Sequence, residues 1–203
     1  MEAMGIFNFV SLILFLVFVV SYFLKLIILS GRNHIKANVL GKRGKDSQVT
    51  LVEMIVKLSS FGWAVVWFLH SVFGNKLFKP MFQNSLLSLT GIVVTGAGVF
   101  VFIIAMMQMR TSWRVGIDHT TQTTLITGGI YRFSRNPAFV GFDLMFIGLY
   151  LMYPNGLTLC VAVLNVVAFH FLILQEEKYL RRTFGETYQL FSQKTPRYLW
   201  FRL

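Results

Sequence analysis

The chain has little of what builds a disulfide scaffold, a metal centre or a highly charged soluble surface. Its one cysteine, Cys160, sits in an apolar segment, which excludes an internal disulfide framework and a cysteine-based zinc site. Its histidines, His34, His70, His119 and His170, share no ligand spacing, so no metal site is expected, and His170 reads as a hydrogen-bonded core residue. Acidic residues number only 8 against 19 basic ones, and charged residues make up 13% of the 203 positions while 55% are hydrophobic. A chain this basic and this apolar fits a polytopic membrane protein with basic flanks; nucleic acid is not an expected partner, whereas membrane lipids are. There is no internal repeat. Gly96-Ala97-Gly98 lacks the third glycine, the preceding strand and the later acid of a dinucleotide fingerprint, and is read as helix packing.

What the chain does have is long apolar runs. Ile6 to Leu29 is long enough, at about 1.5 Å per residue, to cross the roughly 30 Å hydrocarbon layer. No basic residue precedes it and it exceeds a signal-peptide core, so a transmembrane helix is expected there. Leu51 to Phe73 forms a second span, opening on an interfacial turn with Glu53 and Lys57 at i, i+4 and carrying Trp63 and Trp67 on one face. Ser85 to Met107 forms a third, in which Gly91, Thr95 and Gly98 make a stripe that lets another helix approach closely. Ala138 to Tyr153 is a short fourth helix, Pro154-Asn155-Gly156 a tight turn, and Leu157 to Leu174 a fifth helix, so the last two form an antiparallel hairpin. The expected fold is all-α: a polytopic membrane protein of about five transmembrane helices with a helical hairpin near the C-terminus. A three-helix membrane region over 1–107 would precede a functional core over 108–203.

The connections carry the charge. Ser30 to Thr50 is a basic, glycine-punctuated loop that reads as a solvated run at the lipid surface, and Gln108 to Gly128 is a long polar segment including Arg110, Asp118 and His119. Lys178 to Leu203 sets Tyr179, Leu180, Phe184, Tyr188, Leu190 and Phe191 among basic residues, as expected of an amphipathic tail lying on the membrane face. Lys and Arg number five in the first loop, two in the second, four in the third, none in the fourth and six in the tail. The positive-inside rule then places the first and third loops and the C-terminus in the cytoplasm, on the inner membrane if the cell is bacterial.

One stretch stands apart: Gly129 to Gly141 delivers Arg132, Arg135 and an Asn136-Pro137 step to the mouth of the fourth helix. Proline suits the first turn of a helix and pushes Asn136 toward an extended conformation, leaving the helix's first N–H groups free to bind a charged small molecule. The hairpin brings Glu176 and Glu177 to the same depth as Arg135 and Asn136. Opposed charges on a shared rim suit a zwitterion; the same residues also suit an ion pair that merely ties helix ends together. Asp143, about two turns into the fourth helix and on the face of Asn136 and Phe139, is costly there unless paired or wet, and is a candidate acceptor-binding or proton-accepting group.

Leu125-Ile126-Thr127-Gly128-Gly129-Ile130-Tyr131, Arg135-Asn136-Pro137-Ala138-Phe139-Val140-Gly141, Glu176-Glu177, Phe184-Gly185-Glu186-Thr187-Tyr188 and Thr195-Pro196-Arg197 follow one another in an order that resembles the integral-membrane isoprenylcysteine carboxyl methyltransferases and their bacterial relatives. The resemblance covers the half of the chain from Ser112 onward. It implies an S-adenosyl-L-methionine-dependent methyltransferase whose cofactor is held by Thr123, Thr124, Leu125, Ile126, Tyr131, Asn136, Pro137, Ala138, Phe139, Glu176 and Glu177. Arg135 would position the methyl acceptor, so that Arg135, Glu176 and Asp143 are the candidate catalytic set. Asn136 stands where the carboxyl methyltransferases have histidine, Phe139 where they have tyrosine, and Leu172 near an arginine that in the eukaryotic enzymes helps hold the prenylated substrate. The expected acceptor is therefore lipophilic or small: an isoprenylcysteine-like carboxylate, a thiol or a lipid amine. An NADPH-dependent reductase laid out like the sterol reductases, and a non-enzymatic membrane scaffold, are the other readings.

Overall fold

The computed structural model describes residues 2–35, 37–42, 44–76, 78–117 and 123–199; Lys36, Arg43, Asp118, His119 and Arg202 lie outside them. Five α-helices follow in order: α1 (Glu2–Asn33), α2 (Ser47–Phe73), α3 (Ser85–Gln108), α4 (Pro137–Met152) and α5 (Gly156–Lys194). Four of them are long and apolar enough to cross a membrane. At 16 residues α4 is only about 24 Å long, short of the hydrocarbon thickness, so its polar N-terminal end can open below the membrane surface inside the bundle.

Local chemistry sets the helix boundaries. Asp46 accepts from Gln48 N at the head of α2, and Asn84 accepts from Leu86 N and Leu87 N at the head of α3. Between α4 and α5, Asn155 and Thr158 cap each other's backbone in a capping box, which makes the hairpin turn as short as its sequence suggests.

The tightest seam joins α3 to α4. Water offers no hydrophobic drive inside a bilayer, so helices associate where small residues let backbones touch. Here Gly91, Thr95 and Gly98 of α3 face Gly141 and Gly148 of α4. A Cβ on Gly98 would lie 2.7 Å from Gly141 O and 2.9 Å from Met145 N, and one on Gly91 would lie 2.5 Å from Met152 N. The stripe read in the sequence is this contact. Gly98→Leu is expected to cost at least about 1–3 kcal/mol by overpacking, seen as a lower melting temperature in detergent.

At the C-terminal end of α4 a buried polar network ties α1, α2 and the hairpin turn together. Tyr153 donates to Asn8 Oδ1 (3.0 Å), Trp67 Nε1 donates to Ser11 Oγ (3.0 Å), and Ser11 and Ser71 share a hydrogen bond of 2.7 Å. His70 Nδ1 lies 2.9 Å from Val66 O and must donate, so its Nε2 accepts from Asn155 Nδ2, also at 2.9 Å. Above this network, Phe18, Trp63, Trp67, Phe102, Phe146 and Phe169 form an aromatic core of buried rings.

Three segments differ from the sequence reading. The first loop is not simply a solvated run: Ala37 and Val39 are buried, and Lys45 turns inward to Glu53. Glu53 is itself fully buried and pairs with Lys45 rather than making an interfacial turn with the exposed Lys57. The fifth helix does not stop at Leu174 but continues to Lys194, interrupted at Gly185, whose φ of 52° and ψ of −125° only glycine adopts readily. Beyond that break the chain doubles back, with Tyr188 fully buried in the protein and Leu190 left exposed.

Candidate active site

A cavity of about 670 Å³ lies where the first loop, the segment preceding α4 and the far end of α5 meet. Its polar rim includes Thr123, Thr124, Tyr131, Asn136 and Glu176; its floor, deeper in the bundle, is aromatic, with Phe18, Trp63, Phe102, Phe142 and Phe169. The segments before α4 and after the membrane portion of α5, distant in sequence, are therefore neighbours.

The N-terminus of α4 faces this space. Pro137 occupies the first turn, where its missing N–H costs nothing, and no side chain caps the helix. Asn136 has φ −129° and ψ 49°, outside the helical region but short of the extended conformation expected. Its carbonyl accepts from Val140 N (3.1 Å), which leaves the N–H groups of Ala138 and Phe139 without a partner among the described residues, and both residues line the cavity. A helix start of this kind attracts an anionic group.

Glu176 and Glu177 divide two tasks between them, because successive residues on a helix point about 100° apart. Glu176 lines the cavity and has no hydrogen-bond partner among the described residues. Glu177 is buried behind the wall as the hub of an ion network: its Oε1 accepts from Arg135 Nη2 (3.0 Å) and Asn136 Nδ2 (3.2 Å), and its Oε2 from Arg197 Nη2 (2.9 Å). Arg135 also donates to Ser192 O at 2.8 Å. The returning Thr195-Pro196-Arg197 segment closes the ring, with Arg135 N donating to Pro196 O (2.9 Å) and Ser134 Oγ to Arg197 O (3.1 Å). The Glu177 carboxylate holds the Arg197 guanidinium above its usual range. Of the two readings left open by the sequence, Arg135 thus fulfils the ion-pair one through Glu177 while still bordering the cavity.

The other predicted cofactor residues gather on the rim. Thr124 is fixed by Ser112, whose Oγ lies 3.0 Å from Thr124 Oγ1 and accepts from Thr124 N at 3.2 Å. Leu125, Ile126 and Pro137 also line the cavity. The Tyr131 hydroxyl reaches Ala105 O at 3.4 Å, and burial, with the nearby Glu176 carboxylate, raises its pKa so that it stays a neutral phenol. Gln108 Oε1 accepts from Ile130 N at 2.8 Å and braces the turn that carries Tyr131.

Asp143 is the exception. Although Phe139 and Phe142 of the same helix border the cavity, Asp143 does not; its Oδ1 is buried with no hydrogen-bond partner among the described residues, and its carboxylate acts on Tyr198. Burial and that carboxylate push the Tyr198 phenol up to about 12. Tyr198 and His170 Nδ1 are 2.8 Å apart, the hydrogen-bonded role expected of His170. Asp143→Asn is therefore expected to leave the affinity for a ligand in the cavity within about twofold, since no direct contact is lost, as read by calorimetric titration.

Sequence reasoning missed two sets of lining residues. The wall contributed by α1 and α2 includes Phe15, Phe18, Tyr22 and Phe61, which hydropathy alone reads as lipid-facing. The cover on either side of Gly185 contributes Phe184, Tyr188 and Phe191. For the second set the signal was present, since Phe184 and Tyr188 lie in a motif already singled out.

A family profile described as phospholipid methyltransferase (PEMT) matches residues 86–187, half of the chain, and spans α3, the rim segment, α4 and most of α5. The chain belongs to the phospholipid methyltransferase family. It is also 29% identical over 123 residues to the "Probable protein-S-isoprenylcysteine O-methyltransferase" of Oryza sativa subsp. indica, covering 58% of this chain and 63% of the relative. To the "Protein-S-isoprenylcysteine O-methyltransferase" of Schizosaccharomyces pombe it is 32% identical over 95 residues, covering 45% of this chain and 40% of the relative. The resemblance read from the motif order is borne out by these relatives. The alignments span less than two thirds of the length of either. No solved structure matches the chain.

Proposed function

We propose that this family member transfers a methyl group from S-adenosyl-L-methionine to a lipophilic acceptor at the cytoplasmic surface of the membrane. The observation that carries the reading is one cavity holding two complementary features at its rim: N–H donors at the head of α4 and the carboxylate of Glu176, neither of which has a partner among the described residues. Together they suit the carboxylate and the ammonium of an amino-acid moiety. Thr123 to Ile126 and Tyr131 would border the rest of the cofactor. When bound, S-adenosylmethionine supplies an electrophilic methyl on a cationic sulfonium.

The chain's own residues would bind, align and dry the reactants. In-line displacement needs alignment more than an acid or base. Transfer to an anionic carboxylate or thiolate removes both charges, so the aromatic floor and the cover formed by Phe184, Tyr188 and Phe191 favour it by excluding water. The exposed Phe23, Phe61 and Phe68, which border the cavity on α1 and α2, mark where it meets lipid and where an apolar acceptor can enter. Arg135 at the cavity edge would face the acceptor's polar end. The first loop, the rim segment and the end of α5 are the basic connections, which supports a cytoplasmic rim.

The test is to incubate purified protein with methyl-labelled S-adenosylmethionine and a panel of prenylcysteines, thiols and aminophospholipids. Label in one lipophilic class confirms the activity and names the acceptor. Binding of NADPH in place of S-adenosylmethionine would overturn the reading.

A further inference from the structure

Glu53 stands outside the segment matched by the family profile, yet it is the most heavily bonded carboxylate on the α1–α2 side of the cavity. Its Oε1 accepts from Ile117 N (2.8 Å) and Lys45 Nζ (2.8 Å); its Oε2 accepts from Gly41 N (2.7 Å) and Lys45 Nζ (2.7 Å). Lys45 in turn donates to Val39 O at 2.7 Å. Nearly every acceptor direction of one fully buried side chain is used, and the donors come from two loops far apart in sequence.

Those loops are also paired directly. Val39 N donates to Val115 O (2.9 Å) and Val115 N to Ala37 O (2.8 Å), the parallel bridge between Asn38 and Val115. Gly116, at φ +89°, lets the strand pass the carboxylate, since a Cβ there would lie 2.9 Å from Glu53 Oε1 and 2.9 Å from Leu40 Cα. Asn38, Leu40 and Val115 to Ile117 all line the cavity. The same wall reaches Thr124 through Ser112.

We infer that Glu53, with Lys45, is a positioning residue for the methyl donor: it clasps the first loop to Val115–Ile117 and thereby sets the wall that reaches Thr124 through Ser112. This rests on the donor reading given above. A site loosened at its supporting shell loses affinity before it loses chemistry.

The experiment uses the full chain in nanodiscs. Glu53→Gln keeps the size but removes the charge, Glu53→Asp shortens the reach, and Lys45→Gln is a milder lesion that leaves both backbone contacts to Glu53. Expected for Glu53→Gln is a rise of about tenfold or more in the KM and dissociation constant for S-adenosylmethionine, with kcat at saturation within about threefold. Lys45→Gln should move the same constants in the same direction but less. Amide exchange should quicken at 115–117 and 123–126 in both variants. A folded Glu53→Gln protein with unchanged donor constants overturns the inference; if it does not fold, the same result from Lys45→Gln does so. Should the wild type fail to bind S-adenosylmethionine, the donor reading falls, and the clasp is decided by exchange alone: no change at 123–126 sinks it.

Discussion

Glu176→Gln is expected to weaken S-adenosylmethionine binding by about 10- to 100-fold while leaving the melting temperature almost unchanged, because a lost charge-assisted hydrogen bond is worth about 1.5–3 kcal/mol. The asymmetry follows from its surroundings. Glu176 has no hydrogen-bond partner among the described residues to leave behind, so folding loses little when its charge is removed. On the proposed reading, what disappears is the feature the cavity offers to an ammonium, while the α4 donors that would hold the carboxylate remain. Calorimetric titration of purified protein, with thermal unfolding run in parallel, separates the two effects. Tight binding by the variant would show that the cofactor's amino group lies elsewhere.

The neighbouring substitution should behave in the opposite way. Glu177→Ala removes the shared partner of Arg135 and Arg197, whose side chains are only 10% and 21% exposed. Breaking a buried pair strands its cations, and each such lesion costs about 3–5 kcal/mol. The partial exposure of Arg197 puts this case toward the lower end. The returning Thr195-Pro196-Arg197 segment keeps its backbone contacts to Ser134 and Arg135 but loses the charge that draws Arg197 inward. A large fall in melting temperature is expected, and activity falls with the folded fraction and with the freeing of Arg135 and Asn136 at the cavity edge. Glu177→Gln, which still accepts hydrogen bonds, should recover part of the stability. Unchanged melting in both variants would mean that the hub contributes nothing to the fold.

The contrast between these glutamates shows where the sequence was readable. Apolar runs long enough to span lipid, the Pro154-Asn155-Gly156 turn and the small-residue stripe on α3 all express local rules, and each appears in the structure as expected. That Arg135 and Asn136 meet the acidic end of α5 followed from the hairpin alone. Which glutamate faces the cavity did not, because one residue of helical phase decides it and the apolar pattern around positions 176 and 177 does not fix that phase. Lys45 and Glu53 were harder still: Lys57 stands at the favourable i+4 spacing, and only the folding of the first loop over the head of α2 makes Lys45 the nearer cation. The tail is amphipathic as expected, but that Tyr188 packs into the protein while Leu190 stays exposed was not legible, because an amphipathic helix reads alike whether its apolar face meets lipid or protein.

The backbone contact between α3 and α4 has a mechanical corollary. Two helices whose main chains already touch at Gly91, Gly98, Gly141 and Gly148 cannot slide or rotate past one another without collision, so they behave as a fixed jaw. Breathing that admits a bulky guest then falls to the other walls, above all α1 and α2, where rings rather than peptide groups fill the joint and can swing aside one rotamer at a time.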